Sequence, residues 1–303
     1  MSRIYPHIYF GDRLVDSEAA TLHVASSAVL YGLSVYTVFN VHYANDTYLA
    51  FRLRDHFRRI VDSCRIIGID TFDQEWTLEK FSAAVQETLH ANDPQTTTFV
   101  RASVHVTQLI PGTRSRGLKT ALSLFVYEAL PIVPQTGARL KTSVWRRTPD
   151  NSIPSRAKVN GAYINSVLAK QDAIDSGYDD CIFLDNDGHV CELSAANIFL
   201  VRDKTIITPS TTSDILEGIN RRTIIEIAQD RGMRVEERTV DLTELYIADE
   251  VFISGTSAYV APVIEIDARR IGNGEDGPIT AQLRTAHTKA LAEQSDKQWL
   301  SVL

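Results

Sequence analysis

Cysteine is scarce and long apolar runs are missing from this chain of 303 residues, and each absence removes a class of protein. The three cysteines, Cys64, Cys181 and Cys191, are odd in number, lie among apolar neighbours and form no CxxC pair. They read as buried thiols, and neither a disulfide framework nor any metal site is expected. No run of about eighteen apolar residues occurs, so no membrane span is expected. The first twenty residues hold no apolar signal core, which makes the cytosol the default location. Lysine and arginine form no cluster and the formal net charge is -7, which argues against a nucleic-acid surface. Neither an internal repeat nor a low-complexity tract is present. What remains, 44% hydrophobic and 23% charged residues, is an ordinary globular composition at a length that usually divides into two domains.

Taken in order, the chain alternates strands and helices. Ile8-Tyr9-Phe10 and the residues after Gly11-Asp12 read as a strand, a turn and its return. Ala25 to Leu30 reads as a short helix stopped near Gly32. Ser34 to Tyr43 has the β-branched and aromatic content of a buried strand, turned by Asn45-Asp46. Phe57, Ile60, Val61, Cys64 and Ile67 form a helical stripe over Asp55 to Ile67. Arg58 and Arg59 fall off that stripe and read as solvated by periodicity, although Ile66 on the side of Arg59 hints at some cover. Leu78 to Ala91 is a second helix, and Thr98 to Val106 alternates as a strand whose pattern does not say which way Arg101 points. Gln108 to Gly117 is a loop holding Arg114 and Arg116. After the strand Ala121 to Tyr127, a proline-dense segment marks a boundary: 1–130 a first domain, 131–137 a linker, 138–303 a second. The second half offers strands at Leu140 to Trp145, Ile206-Ile207 and around Val235, a helix over Ile219 to Asp230, and a polar tail helix from Ala281.

The densest chemistry lies between Arg156 and Phe199. Lys158 precedes the Asn160-Gly161 turn, and Tyr163 follows as a helical pattern begins. Ile182 to Asp185, Asn186-Asp187-Gly188 and Val190 onward have the pattern of a hairpin, with Glu192 inside its second strand. A lysine, a tyrosine and a glutamate in such settings suit an aldehyde cofactor that forms a Schiff base and whose ring nitrogen needs an anionic partner. The helix start at Gly218-Ile219-Asn220 and the Ser254-Gly255-Thr256 turn offer backbone N–H groups to a phosphate, and Arg59 offers paired charge-assisted bonds.

These motifs resemble, over about Ile8 to Thr280, the class IV, fold-type IV pyridoxal-phosphate aminotransferases, of the branched-chain aminotransferase kind. The resemblance implies a two-domain α/β (α+β) fold with a small α/β domain and a larger pseudo-barrel α/β domain. It implies pyridoxal 5'-phosphate as cofactor and Lys158 as the catalytic lysine of a Lys-x-x-Gly-Asn-Tyr pattern. Tyr163 would bond the cofactor's phenolic oxygen, and Glu192 its ring nitrogen. Arg59, closing Arg52-Leu53-Arg54-Asp55-His56-Phe57-Arg58-Arg59, would join Ile219, Asn220 and Thr256 around the phosphate. The chain departs from the pattern at Ala162 for Asn, at Leu193 and Ala195 for glycines, at Glu217 for proline and at Asn220 for threonine.

By the same resemblance the substrate would meet Tyr31, Tyr36, Val38, Arg101, Arg114, Arg116, Ser257 and Ala258. Tyr36-Thr37-Val38 stands where branched-chain enzymes carry Phe-Glu-Gly and looks more like amine transaminases. The expected activity is transfer of an amino group between a branched-chain L-amino acid and 2-oxoglutarate. An (R)-amine or D-amino-acid transaminase is the alternative, then an aminodeoxychorismate lyase, and last a non-enzymatic binding protein. Small-molecule donor and keto acid are the expected partners, and family members of this kind complete each pocket from a neighbour, so a homodimer or higher oligomer is expected.

Overall fold

The computed structural model describes residues 3–295 and 297–303. They form two compact units, the first comprising Met1–Leu130, Ala157–Ala162 and Ala290–Leu303, the second Pro131–Arg156 and Tyr163–Lys289.

The first unit is built on a seven-stranded sheet. Its strands run in the order Leu300–Val302, Thr47–Phe51, Ser34–Ala44, Thr98–Val106, Thr120–Glu128, His7–Phe10 and Arg13–Asp16. Every neighbouring pair is antiparallel. Val35, Phe39, Val41, Val100, Ala102 and Val104 share one core with Ile60, Val61 and Cys64 of the helix Leu53–Ile66, and with Phe81, Val85 and Leu89 of the helix Leu78–Asn92. Side chains alternate along a strand, so Tyr36 and Val38 point away from that core. Asn45 and Asp46, with φ of 51° and 55°, supply the left-handed pair that a tight hairpin requires.

The second unit holds a mixed nine-stranded sheet. Its order is Val235–Arg238, Thr205–Pro209, Asn197–Arg202, Glu250–Gly255, Tyr259–Ile266, Ala138–Thr142, Asp180–Leu184 and Val190–Leu193, with Arg269–Arg270 alongside Tyr259–Ile266. Ala138–Thr142 runs parallel to Asp180–Leu184, and Thr205–Pro209 parallel to Val235–Arg238. The helices Tyr163–Asp175 and Ile219–Asp230 make these two crossovers, as parallel neighbours require.

Three features differ from the sequence reading. The strand expected to reach Trp145 ends at Thr142, where the Asp267 carboxylate takes the Thr142 N–H and hydroxyl and Trp145 N–H turns back onto Ser143 Oγ. The tail helix begins at Pro278, because the buried Glu250 carboxylate accepts from Ile279 N and Thr280 N. That helix is not polar all round: Leu283, Ala286, His287 and Leu291 are buried. Segments 157–162 and 290–303, which followed the linker in sequence, cluster with the first unit. Backbone pairing draws them there: Val159 bridges Val35, and Leu300–Val302 extends the sheet beside Thr47–Phe51.

All three cysteines are buried and free, and burial pushes the Cys64 thiol up to about 12. Among the described residues no helix is long and apolar enough to cross a membrane.

The stop of the short helix Ser27–Tyr31 bears on the Lys158 segment. Gly32 has φ of 63°, and a Cβ there would lie 2.8 Å from Gly161 Cα. Left-handed strain and overpacking then add, so Gly32→Ala should cost about 2 kcal/mol or more. Urea unfolding with an unchanged midpoint would show that this contact carries no stability.

Candidate active site

In the first unit, strand register decides which side chains share a face. Val38 pairs with Arg101 and Tyr36 with Ser103. Cross-strand partners lie on one side, so Tyr36, Val38 and Arg101 form a continuous patch opposite the helix-packed core. Segment 157–162 is laid along the same strand: Tyr36 N–H donates to Lys158 O at 3.0 Å and Asn160 N–H to Ser34 O at 2.8 Å. Lys158 N–H donates to Ser63 Oγ at 3.1 Å. Lys158 Nζ stands 4.8 Å from the Tyr36 ring centroid and Arg101 Cζ 3.7 Å from it, so one aromatic ring serves two cations. The neighbouring lysines are differently engaged, Lys141 Nζ with Asp172 at 2.8 Å and Lys170 Nζ with Asp180 at 3.2 Å.

Arg59 leaves the apolar stripe yet is half-buried. Its cover does not come from Ile66, which is 44% exposed. Arg59 Nη2 donates to Thr37 Oγ1 at 2.8 Å, and Thr37 Oγ1 lies 2.6 Å from Nδ1 of the buried His56. Arginine can only donate, so the threonine oxygen accepts from it and stands between the guanidinium and the His56 ring. Thr37, where the family pattern has glutamate, therefore orients Arg59 as a neutral hydroxyl. Arg58 remains in solvent beside Asp62.

The 108–117 loop sends its two arginines to different places. Arg114 lines a cavity of about 260 Å³ with Tyr31, Leu33, Thr113 and Ser115. Arg116 lines another, of about 320 Å³, with Arg65, Asp70 and Asp73. The two are not brought together.

In the second unit Glu192, on the strand Val190–Leu193, is 5% exposed and fully engaged. Its carboxylate lies 2.8 Å from Arg147 Nη2 and accepts from Asn197 Nδ2 at 3.1 Å and from Leu216 N–H at 3.2 Å. Beyond Leu216, Gly218 starts the helix Ile219–Asp230 with no side-chain cap and no acidic residue in the first turn. Only glycine fits there, since a Cβ would fall 2.1 Å from Asn197 Oδ1. Asn220 Nδ2 reaches Thr256 Oγ1 at 3.4 Å, and the buried His287 meets Asn220 Oδ1 at 3.0 Å. Thr256, Ser257 and Ala258 form the turn between Glu250–Gly255 and Tyr259–Ile266, held by Ile132 N–H on Ser257 O and Gln135 Nε2 on Ala258 O. Tyr163 is the first residue of its helix. Glu217, in place of proline, pairs with Arg156 Nε at 2.8 Å.

Residues 34–266 match the family model of class IV amino-transferases. A probable branched-chain-amino-acid aminotransferase from Aquifex aeolicus is 35% identical over 300 residues, 97% of this chain and 95% of that one. The crystal structure of a branched-chain aminotransferase from Thermoproteus uzoniensis with norvaline matches with a TM-score of 0.93 at 34% identity, covering 98% of this chain and 99% of that one. The branched-chain amino acid aminotransferase from Thermobaculum terrenum in its pyridoxal-phosphate form matches at 0.90 and 30%, covering 99% and 98%. This chain belongs to the class IV aminotransferases, enzymes of mixed α/β fold that use pyridoxal phosphate.

Several polar partners carried no sequence signal. Arg147, His56, Thr37 and His287 sit in unremarkable local contexts, and only their tertiary neighbours mark them. His56 and Thr37 do lie in stretches quoted above, but nothing in those stretches pairs them with Arg59.

His105 lies on the same strand face as Arg101 and contacts Ser123 Oγ at 2.9 Å. Burial, with Arg101's charge, pushes its pKa from 6.5 down to about 4. The folded value lies below the unfolded one, so the stability contribution is complete above pH 6.5 and is lost as pH falls toward 4. The loss should approach roughly 3 kcal/mol. His105→Gln should flatten the stability profile over that window relative to wild type, and identical slopes would contradict the assignment.

Proposed function

We propose that this chain transfers an amino group between a branched-chain L-amino acid and 2-oxoglutarate. The observation that carries this reading is Arg101. It is a half-buried guanidinium on the ring it shares with Lys158, and the side-chain hydrogen bond it makes among the described residues goes to an amide oxygen, not to a carboxylate. A carboxylate-bearing substrate supplies the missing anion. The printed names of the relatives point to the branched-chain class.

The donors present fit pyridoxal phosphate. An uncapped helix start free of acidic residues suits a phosphate. Arg59, the N–H groups of Ile219 and Asn220, and the Thr256 hydroxyl would hold it. Glu192 would keep a proton on the ring nitrogen, its carboxylate oriented by Arg147, Asn197 and Leu216 N–H. Tyr163 would donate to the phenolic oxygen. When bound, the group supplies an aldehyde that condenses with amines and a ring that takes up the electron pair of a breaking C–H bond. Lys158 would hold that aldehyde. Its Nζ would also be the base that moves the substrate's α-proton. Tyr31, Tyr36 and Val38 would wall the side-chain pocket, and Arg101 and the N–H groups of Ser257 and Ala258 would meet carboxylates. Arg114 would act from its loop, and Arg116, lining a separate cavity, is its weakest companion.

Tyr36 and Val38, both buried on the substrate face, support a second, slower activity toward (R)-1-phenylethylamine or D-amino acids. A cytosolic homodimer is the proposed working form. Ile164, Val167 and Leu168 on one helix, and separately Val29, Leu30 and Tyr31 in the first unit, are exposed apolar side chains of the kind a subunit contact covers.

Lys158→Ala should abolish turnover while cofactor remains bound through the phosphate donors; retained turnover would remove Lys158 from the chemistry. Arg101→Ala should lower kcat/KM for carboxylate substrates roughly ten- to hundredfold, equivalent to about 1.5 to 3 kcal/mol, and spare amines lacking a carboxylate. An equal loss for both would take Arg101 out of substrate recognition. Sedimentation at assay concentration should show a dimer, and a fully active monomer would contradict it.

A further inference from the structure

We propose that Asn160 is a positioning residue for Arg101, fixing the guanidinium so that it presents its unused donors to the substrate's carboxylate. This rests on the reading of Arg101 as a carboxylate receptor and goes beyond it, because Asn160 belongs to no cofactor or substrate role assigned above.

Arginine is a long side chain with substantial rotamer freedom, so its direction is decided by the few contacts it makes. Arg101 makes two: its guanidinium lies over the Tyr36 ring, and Nη2 donates to Asn160 Oδ1 at 3.0 Å. The ring defines the plane in which the guanidinium lies but leaves it free to slide and turn within that plane. One directional hydrogen bond removes that freedom.

Asn160 is itself fixed before Arg101 reaches it. Its Nδ2 donates to Ser34 Oγ at 2.7 Å and its backbone N–H to Ser34 O at 2.8 Å. Because arginine has no acceptor, the amide oxygen must face Arg101 and the amide nitrogen Ser34, so the amide cannot be flipped. An amide also accepts a hydrogen bond without bringing a negative charge. The cation therefore stays available to an anionic ligand, whereas an aspartate in the same place would neutralise it.

The same short segment thus carries Lys158 and, two residues later, the fixed end of the Arg101 contact. Any displacement of the segment along the strand would move the amine and the guanidinium together. This keeps the spacing between proton transfer and carboxylate binding constant.

The test uses the cofactor-loaded enzyme and the variants Asn160→Ala, Asn160→Asp, Ser34→Ala, Arg101→Ala and the Asn160→Ala/Arg101→Ala pair. Steady-state kinetics with L-leucine and 2-oxoglutarate are joined by spectroscopic titration with glutarate, a dicarboxylate that cannot react. Asn160→Ala should raise KM for 2-oxoglutarate and the glutarate dissociation constant roughly three- to tenfold, with kcat changed far less, as expected for one lost hydrogen bond. Ser34→Ala should move both in the same direction by less, and Asn160→Asp by more. The double variant should match Arg101→Ala, since the contact is then already gone. If Arg101→Ala leaves glutarate binding and carboxylate selectivity unchanged, the reading of Arg101 fails and this inference with it. If Arg101→Ala weakens glutarate binding but Asn160→Ala and Ser34→Ala do not, or if Asn160→Ala costs as much in the absence of Arg101 as in its presence, the positioning role is overturned and Asn160 is a structural residue of the turn.

Discussion

Two backbone hydrogen bonds, from Tyr36 N–H to Lys158 O and from Asn160 N–H to Ser34 O, hold segment 157–162 on the strand Ser34–Ala44, and the chemistry of the first unit depends on them. They extend the sheet's backbone pairing by a few residues without adding a regular strand. Ser63 on the adjoining helix accepts the Lys158 N–H, and Gly32 leaves room for Gly161. The lysine side chain is thereby delivered to the Tyr36 ring by backbone contacts, which cost no side-chain entropy.

A different strategy governs the second unit. Glu192 is buried, and burial of a carboxylate is unfavourable unless every lone pair finds a donor. Arg147, Asn197 and Leu216 N–H supply those donors. Asn197 reaches further, because its carbonyl oxygen excludes any side chain at Gly218 and its amide also donates to Leu216 O. The acid and the helix start proposed to hold the cofactor's two ends are therefore built on shared groups. At Glu217 the chain lacks the proline of the family pattern and ties the same approach to the helix with the Arg156 ion pair. This pair is solvent-accessible and contributes at most a small stabilisation.

Much of this was legible in the sequence where a repeating pattern or a motif existed. The helix Ile219–Asp230 and the strand Thr98–Val106 follow from periodicity, and the family of the chain follows from the Lys158, Glu192 and Arg59 motifs. Periodicity failed where a contact is made by a residue with no repeat around it. Leu300–Val302 is too short to alternate and is a strand only because Thr47–Phe51 offers it an edge. Tyr259–Ile266 and Asn197–Arg202 are strands flanked by turn residues that disguise them. Helical phase alone puts Arg59 in solvent and only hints at cover, since the hydroxyl that receives its hydrogen bond, Thr37, lies on a neighbouring strand. Arg147 and His287 are remote in sequence from Glu192 and Asn220, and only folding brings each pair together.

The account turns on Lys158 being the amine that reacts. Lys141 and Lys170, its nearest lysine neighbours in the second half of the chain, are tied to Asp172 and Asp180. Borohydride reduction of the cofactor-loaded protein, followed by peptide mapping, tests this most directly. The account predicts a single pyridoxyl label on Lys158, and a label on Lys141, Lys170 or any other lysine would contradict it.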